Sequence, residues 1–278
     1  MTVSVLILTL NEEVNIEACL ASARWSDDIV VLDSGSTDRT VELATTAGAR
    51  VVTRPFDNYA AQRNFGLQQI PWRNPWVLML DADEVVSPEL ARELAARVAS
   101  APASLCLLRF RRKDFFFGTW IRGSGGYPSW FPRLARVGRC WVEREFNEQY
   151  ETDGETGELQ EHLHHFPFNK GLTAWIDKHN RYSSMEAELI YRGLSEHDRP
   201  GVRGLFSADP LVRRRAMKQG LYSLPARPLV VFCGLYFIKL GFLEGRAGLT
   251  FSVLRAWYEF LVNTKVRELR RRAARLPV

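Results

Sequence analysis

Short apolar runs alternate with stretches of helical periodicity over the first hundred residues. The apolar runs predict four strands, at residues 3–8, 29–32, 51–53 and 77–80. The periodic stretches predict four helices, at residues 14–23, 37–47, 59–69 and 88–99. Because the runs are apolar at successive positions, both faces of each strand should be buried, which is typical of a mostly parallel sheet covered by helices. The pattern therefore predicts an α/β fold.

The pattern changes beyond residue 100. One further strand is predicted at residues 105–109. Glycines and aromatic residues then interleave over residues 115–133, which is typical of functional loops. Helical periodicity returns at residues 174–192 and dominates the rest of the chain.

The charges divide the chain into two regions. Residues 1–198 carry 21 Lys and Arg against 28 Asp and Glu, whereas residues 199–278 carry 16 against 4. We therefore predict a folded domain at 1–198, with halves at about 1–100 and 101–198, and a basic helical region at 199–278. An acidic domain suits a bound divalent cation, and a basic, aromatic-rich region suits anionic lipid head groups or phosphates. The basic region contains no motif that reads DNA or RNA, so we expect no specific nucleic acid partner.

The C-terminal region also suggests a membrane surface. No uncharged run exceeds 11 residues, whereas a spanning helix needs about 20, so we expect no spanning segment. The first residues lack the pattern of a signal peptide and the four cysteines form no Cys-x-x-Cys pair, so we expect a cytoplasmic location. The apolar run at 228–238 lies between the arginine clusters 213–215 and 270–272, which favours a peripheral helix on an anionic membrane. A helical subdomain with a solvated arginine face is the alternative.

Polar and acidic residues follow three of the predicted strands. Strand one leads into Thr9 and Glu12, strand two into Asp33, and strand four into Asp81 and Asp83. Ligands of open α/β sheets bind at these strand ends. The Gly-x-Gly-x-x-Gly and phosphate-loop motifs are absent, so the corresponding nucleotide-binding classes are excluded. Two carboxylates spaced as Asp-x-Asp suit Mg²⁺ or Mn²⁺ bound through a diphosphate, with loop caps or surface charges as the alternative.

Four segments in the first 90 residues extend this pattern. They read TLNEE at 9–13, VLDSGSTDRT at 31–40, AQRN at 61–64 and LMLDADE at 78–84. In this order they resemble the signatures of family 2 inverting glycosyltransferases, which have the GT-A fold. Residues 118–134 and 175–187 are similar to bacterial lipopolysaccharide-core and exopolysaccharide β-glycosyltransferases. The resemblance implies a Rossmann-like, mostly parallel sheet with a nucleotide-sugar half and an acceptor half, followed by the basic, amphipathic helical region.

The resemblance also implies site residues. Its donor-binding residues are Thr9, Glu12, Asp33, Arg63 and Asp81. It implies a divalent cation, Mg²⁺ or Mn²⁺, with Asp83 as ligand and His165 as a further ligand. The cation would neutralise the charge that develops on the departing nucleoside diphosphate.

The implied acceptor side lies later in the chain. Glu148 occupies the position of the family's catalytic base, with Glu143 and Glu145 as competing candidates. Sugar rings pack on aromatic faces, and the candidates for this contact are Trp120, Tyr127 and Trp130. These aromatic residues could equally be core anchors.

Together with the residue patterns, the resemblance implies an enzyme. It would be a metal-dependent, inverting transferase that moves a hexose, with glucose favoured, from a UDP-sugar to a lipid-linked or lipopolysaccharide-core saccharide. It would act at the cytoplasmic face of a bacterial inner membrane. A sugar-phosphate nucleotidyltransferase would need a glycine-rich basic loop after strand one, where residues 9–13 are acidic and lack glycine. A catalytically idle sugar-binding or scaffolding protein of a polysaccharide-assembly system is the remaining alternative, and the intact Asp81-x-Asp83 motif argues against it.

Overall fold

The chain folds into two compact units. The structure, a computed structural model, describes residues 2–143, 149–195 and 226–278. A sheet unit comprises Met1–Trp120 and Tyr127–Lys170, and a helical unit comprises Ile121–Gly126 and Gly171–Val278. The domain boundary predicted after residue 198 lies outside the described residues and stays a prediction. The compact units divide earlier, between residues 170 and 171.

Four parallel strands form the first half of the sheet. They are β1 (Val3–Thr9), β2 (Ile29–Asp33), β3 (Arg50–Thr53) and β4 (Trp76–Asp81), in the spatial order β3-β2-β1-β4. The connecting helices are α1 (Ile16–Ala23), α2 (Thr40–Thr46) and α3 (Tyr59–Gln68), and α4 (Pro88–Ala99) follows β4. Every predicted strand and helix of this half is present. The predicted α/β fold class is confirmed.

The second half of the sheet mixes parallel and antiparallel strands. Its elements are β5 (Glu84–Val86), β6 (Leu105–Phe116), β7 (Thr119–Trp120), β8 (Trp130–Arg136) and β11 (Glu155–His165). The order continues β4-β8-β6-β11-β5; β8 is antiparallel to both its neighbours and β11 is parallel to β6. The strands β9 (Cys140–Glu143) and β10 (Gln149–Thr152) form a separate two-stranded sheet.

The interpretation of residues 115–133 as loops is wrong at both ends of that stretch. β6 continues from residue 109 to Phe116, β7 follows almost at once, and β8 begins at Trp130. The sequence between Arg109 and Phe116 includes four consecutive charged residues at 111–114, which does not resemble a buried strand. It is nevertheless a strand because its backbone pairs with β8 on one side and β11 on the other.

The parallel strands are buried on both faces. Val3, Val5 and Ile7 of β1 pack with α1 and α4 on one face, and Leu6 packs with α3 on the other. Successive side chains of a strand point to opposite faces, so this division follows from the strand geometry. On the second face, α3 lies so close to β1 that a Cβ atom on Gly66 would be 2.3 Å from Cδ2 of Leu6.

The helical unit is built on two long helices. They are α5 (Gly171–Ser195) and α7 (Gly245–Ala273), and between them lie α6 (Arg227–Cys233), a π-helical turn (Gly234–Ile238) and a 3₁₀ turn (Gly241–Glu244). α5 and α7 pack through the buried residues Ala187, Tyr258, Val262 and Val266. Within the described residues, no helix taken alone has the length and apolar content of a membrane span. The segments Arg227–Ile238 and Gly241–Ala273, which meet at a 72° bend, pass that test only as a pair.

The close approach of α3 to β1 gives a stability prediction. We expect Gly66→Val to lower the free energy of unfolding by about 2 kcal/mol or more, because the added atoms overlap Leu6 in a filled core. Chemical denaturation measures this change. The matched control is Gly193→Val on α5, where no described atom lies within 4 Å of an added Cβ. Equal losses in both variants would contradict the proposed close packing.

Candidate functional site

Three predicted site residues meet at the carboxyl edge of the parallel strands. Thr9 of β1 pairs in register with Asp33 of β2, and Leu8 of β1 pairs with Asp81 of β4. The side chains also touch, because Oγ1 of Thr9 donates a 2.8 Å hydrogen bond to Oδ1 of Asp33. The sheet therefore brings together donor-side candidates that lie up to 72 residues apart in the chain.

Asp33 organises the loop after β2. Its Oδ2 accepts hydrogen bonds from the backbone N–H groups of Gly35 (2.9 Å) and Ser36 (2.8 Å), and Oδ1 accepts from the hydroxyls of Thr9 and Ser36. Gly35 has a φ of +92°, a conformation that favours glycine. Asp33 is 1% exposed. It therefore shapes the turn that follows β2 at the carboxyl edge of the sheet.

Glu12 is held by two residues, Asn15 near it in the chain and Lys170 at the C-terminal end of the sheet unit. Lys170 Nζ lies 2.5 Å from its Oε1, and Asn15 Nδ2 donates to its Oε2 at 2.8 Å. Burial raises the pKa of Glu12, with Lys170 and Asn15 opposing that effect and the charge of Asp83 adding to it. Glu12 therefore belongs to the same electrostatic environment as Asp83.

Asp81 lies between two buried guanidinium groups. Arg63 Nη2 of α3 donates to Oδ1 at 2.9 Å, and Arg133 Nη2 of β8 donates to Oδ2 at 2.7 Å. Arg133 also binds the fully buried Glu84 at 3.1 Å, and Glu84 accepts the backbone N–H of Asp81 at 2.9 Å. Both oxygens of Asp81 are thereby held at fixed positions by charge-assisted hydrogen bonds.

Asp83 faces a histidine from a distant strand. His165 Nε2, at the end of β11, lies 3.3 Å from Oδ2 of Asp83. Nδ1 of the same ring lies 2.6 Å from Oδ1 of Asp114 on β6, and Arg112 Nε lies 2.9 Å from that oxygen. His165 and Asp114 are register partners, so strand pairing produces the contact. Burial and Arg112 oppose protonation, but Asp83 and Asp114 prevail and raise the pKa of His165 to about 9.

This arrangement fits a divalent cation that the protein holds through few ligands. In residues 2–143, 149–195 and 226–278, no cluster of three or more His, Cys, Asp or Glu side chains has metal-binding geometry. Asp83 and His165 together offer one oxygen and one nitrogen to one point. Mg²⁺ and Mn²⁺ sites that act on phosphates commonly use one or two protein ligands, the phosphate oxygens and water. Asp114 would orient the imidazole from behind.

The three aromatic acceptor candidates contact side chains of β6 and β11. The Trp120 and Tyr127 rings lie 5.2 Å apart, Lys113 covers Trp120, and Tyr127 Oη lies 2.8 Å from Nε2 of His162. Trp130 packs beneath Arg109 and Arg111, with ring distances of 5.5 and 5.3 Å.

The β6 residues that contact Trp120 and Trp130 are all at odd-numbered positions. Asp114 and Arg112, which support His165, are at even-numbered positions and point to the other face of the strand. The aromatic acceptor candidates therefore lie on the opposite face of β6 from the Asp83–His165 pair. On the Asp114 face, Phe116 stacks with Phe117 and lies 3.9 Å from the tilted ring of Phe168, a cluster that the sequence did not single out.

The candidate base falls largely outside the described residues. Glu145 and Glu148 lie in the undescribed segment 144–148. Glu143 ends β9, where its Oε1 accepts a 3.2 Å hydrogen bond from the indole of Trp141. The side chain of Asn64, next to Arg63 on α3, bonds both the N–H and the C=O of Val142 at 2.7 and 2.8 Å. The helix α3 therefore holds Asp81 through Arg63 and holds β9 through Asn64. In the chain, β9 leads into the segment 144–148.

The comparison with family models decides the classification. Residues 4–166, more than half of the chain, match the model described as Glycosyl transferase family 2. The chain belongs to glycosyl transferase family 2. The sheet unit of this glycosyltransferase, with its β3-β2-β1-β4 order and polar strand ends, agrees with the GT-A fold that the resemblance implies.

The relatives of this glycosyltransferase cover most of its length. An uncharacterized glycosyltransferase of Rickettsia bellii is 28% identical over 96% of this chain and 86% of its own. The lipopolysaccharide core biosynthesis glycosyltransferase LpsC of Rhizobium meliloti is 28% identical over 92% of this chain and 91% of its own. Among solved structures, glucosyl-3-phosphoglycerate synthase of Mycobacterium tuberculosis, in complex with Mn²⁺ and UDP, matches 40% of this chain and 44% of that chain at 27% identity, with a TM-score of 0.35.

Several residues of the glycosyltransferase site were not singled out from sequence. Glu84 could have been found, since it continues the motif at 81–84, whereas Arg133 and Asp114 carry no local signal because β8 and β6 bring them into place. Lys170, which binds Glu12, is a further residue of this kind. The roles predicted for the donor, metal, base and acceptor residues stay predictions.

The buried ion pairs around Asp81 give the second prediction. We expect Arg133→Gln to lower the free energy of unfolding by about 3 kcal/mol, because Asp81 and the buried Glu84 each lose a charged partner. Denaturant unfolding measures the loss. Arg92→Gln on α4 is the control; its pair with Glu89 is solvent-exposed, so its effect should stay below about 1 kcal/mol. A loss for Arg133→Gln as small as the control's would show that these pairs do not stabilise the fold.

Proposed function

We propose that this glycosyltransferase is metal-dependent and inverting, and that it transfers a hexose from a UDP-sugar to a saccharide acceptor. The observation that carries the proposal is the 3.3 Å approach of His165 to Asp83, next to the edge formed by Thr9, Asp33 and Asp81. Asp83 and His165 would hold Mg²⁺ or Mn²⁺. When bound, the cation would neutralise the charge that develops on the leaving nucleoside diphosphate.

The donor-side residues divide the work of binding. Asp33 and Thr9 form a rigid polar edge suited to the base or ribose of the nucleotide. Arg63 and Arg133 hold the Asp81 carboxylate in place, where it could accept a hydrogen bond from a ribose hydroxyl or from a water on the cation. The guanidinium groups would also place positive charge near the diphosphate of the donor. Binding of the donor would therefore depend on pre-formed, buried contacts.

The acceptor hydroxyl must lose its proton during transfer. A carboxylate takes this proton while the hydroxyl oxygen attacks the anomeric carbon, and the bond from that carbon to the diphosphate oxygen breaks on the opposite face. The configuration at the anomeric carbon inverts. Glu148 is our candidate base, and Glu143 and Glu145 are the alternatives. The support for a base in this region is that Asn64 of α3 fixes β9. In the chain, β9 leads directly into the segment that contains Glu145 and Glu148.

We further propose a lipid-linked or lipopolysaccharide-core saccharide as acceptor, with UDP-glucose as the favoured donor. The similarity to LpsC of Rhizobium meliloti over 92% of this chain supports a core-type acceptor. Such acceptors are anchored in a membrane, so the enzyme would work as a peripheral protein at the inner face of a bacterial inner membrane. The net positive charge of residues 199–278 supports an anionic lipid surface as partner.

Donor turnover tests the proposed chemistry. We expect cleavage of a UDP-sugar in a panel of nucleotide sugars, with loss of activity in EDTA and recovery with Mg²⁺ or Mn²⁺. Asp83→Ala should lower donor cleavage at least about 100-fold, because removal of a ligand weakens the binding of the cation. Glu148→Gln should abolish transfer to acceptor and leave donor binding intact. Cleavage that survives EDTA or Asp83→Ala would refute metal dependence; no cleavage of any donor would favour the sugar-binding or scaffolding protein.

Metal affinity tests the His165–Asp114 contact independently of turnover. We expect Asp114→Asn to weaken Mn²⁺ binding about 10- to 100-fold in the presence of UDP, because the imidazole loses the carboxylate that orients it. Calorimetric titration measures this change. Asp153→Asn, which removes a charge from an exposed ion pair with Arg139, is the control and should bind Mn²⁺ normally. Unchanged affinity in Asp114→Asn would contradict the assignment of His165 as a ligand.

A further inference from the structure

Apolar side chains are concentrated at the surface of the bend between α6 and α7. Five of them lie within seven residues and are exposed, namely Phe237, Ile238, Leu240, Phe242 and Leu243. Ile238 is 79% exposed and Leu243 is 71% exposed. Contiguous exposed apolar surface of this kind marks a site that binds a partner or a membrane. We call residues 237–243 the apolar bend.

The backbone of the apolar bend has a defined conformation. Leu240 has a φ of +59°, a left-handed conformation that is rare for leucine and persists only where its surroundings enforce it. The N–H of Lys239 donates to the carbonyl of Gly234 at 2.8 Å, and the N–H of Leu243 donates to the carbonyl of Leu240 at 3.0 Å. Gly241 is buried, and a Cβ there would lie 2.8 Å from the carbonyl oxygen of Leu235.

Glu244 fixes the C-terminal end of the apolar bend. Its carboxylate accepts hydrogen bonds from the backbone N–H of Gly123 and from the hydroxyl of Ser124. Both residues belong to the segment Ile121–Gly126 of the helical unit. In the chain, this segment joins Trp120 to Tyr127, two of the acceptor candidates. The exposed side chains are thus held on a fixed support within the helical unit.

The charges around the apolar bend match an anionic lipid surface. Lys239 lies within it and Arg246 follows it, and both are exposed. Residues 226–243 contain no Asp or Glu. Further exposed apolar residues lie on the neighbouring helices α6 and α7, namely Leu229, Val230, Leu249 and Val253. Apolar side chains with cations beside them are the composition of an element that lies in the bilayer interface.

The hydropathy favours lipid over a protein partner. The two segments on either side of the bend together reach the apolar content of a bilayer span, although neither does so alone in the described chain. We propose that the apolar bend inserts into the interfacial layer of an anionic bilayer, with Lys239 and Arg246 at the head groups. This inference rests on the membrane location of the proposed function and identifies the element that would produce it.

Vesicle binding by the full-length protein tests the insertion. The variant Ile238→Ser/Leu243→Ser should bind vesicles of phosphatidylglycerol and phosphatidylethanolamine at least about tenfold more weakly than the unmodified protein in flotation assays. The matched control is Met185→Ser/Leu189→Ser, which removes two exposed apolar side chains from α5 and should bind normally. Equal binding by all three proteins, or failure of the unmodified protein to bind these vesicles, would overturn the proposal.

Depth labelling separates insertion from simple charge attraction. In a Cys233→Ser background, an environment-sensitive dye on Leu243→Cys should shift its emission to the blue with anionic vesicles, and the same dye on Leu189→Cys should not. No shift of the emission at position 243 would overturn the proposal.

Charge variants test the contact with the head groups. Lys239→Gln/Arg246→Gln should lower vesicle binding and weaken the dependence of that binding on salt.

Lipid-free donor cleavage separates this inference from the proposed enzyme activity. Ile238→Ser/Leu243→Ser should cleave the donor as the unmodified protein does, because neither residue belongs to the donor site. Loss of vesicle binding with intact cleavage supports the insertion. Intact cleavage with undiminished vesicle binding would refute the insertion and leave the proposed enzyme chemistry in place.

Discussion

Charge compensation at the end of β4 is the constraint on which the arrangement of the sheet unit depends. Asp81 and Glu84 lie where β4 and β5 meet, and Glu84 is fully buried. An unpaired carboxylate in such a place costs several kcal/mol, so the fold must deliver cations to it. Arg63 arrives on α3 and Arg133 on β8. The parallel half and the mixed half of the sheet are therefore joined by charge as well as by strand pairing.

The same constraint makes Asp83 different from Asp81. Guanidinium groups do not lose their protons at any ordinary pH, so Asp81 keeps its partners whether or not a substrate is present. Asp83 faces an imidazole, which can give up its proton and donate a nitrogen lone pair to a cation. Of these two carboxylates, which Ala82 separates, Asp81 is held by two guanidinium groups, and Asp83 would be available to the proposed cation. This division supports a pre-organised donor site with a removable cation.

The sequence predicted the parallel half well because its signals are local. Apolar runs and helical periodicity specify β1 to β4 and α1 to α4. The contacts of Arg133, Asp114 and His165 could not be predicted, because they join residues that are distant in the chain: Arg133 and Asp81 are 52 residues apart, and His165 and Asp114 are 51 apart. The face on which the candidate acceptor aromatics lie was inaccessible for the same reason, since the extension of β6 was not predicted. In the described residues, the local sequence pattern predicts the helices and strands. The candidate site is formed by pairing between strands that are distant in the chain.

In the helical unit, two glycines allow the chain to turn after the apolar run at residues 228–238. Residues 228–238 read as one interfacial helix, but the structure turns at Lys239, and the exposed apolar surface continues to Leu243. Gly241, packed against the backbone of Leu235, and Gly245, with a φ of +60°, permit this turn. A helix lying flat buries one stripe of side chains in lipid, whereas a bend can insert side chains from both of its arms. The composition therefore predicts affinity for a membrane surface, and the backbone determines which residues would enter it.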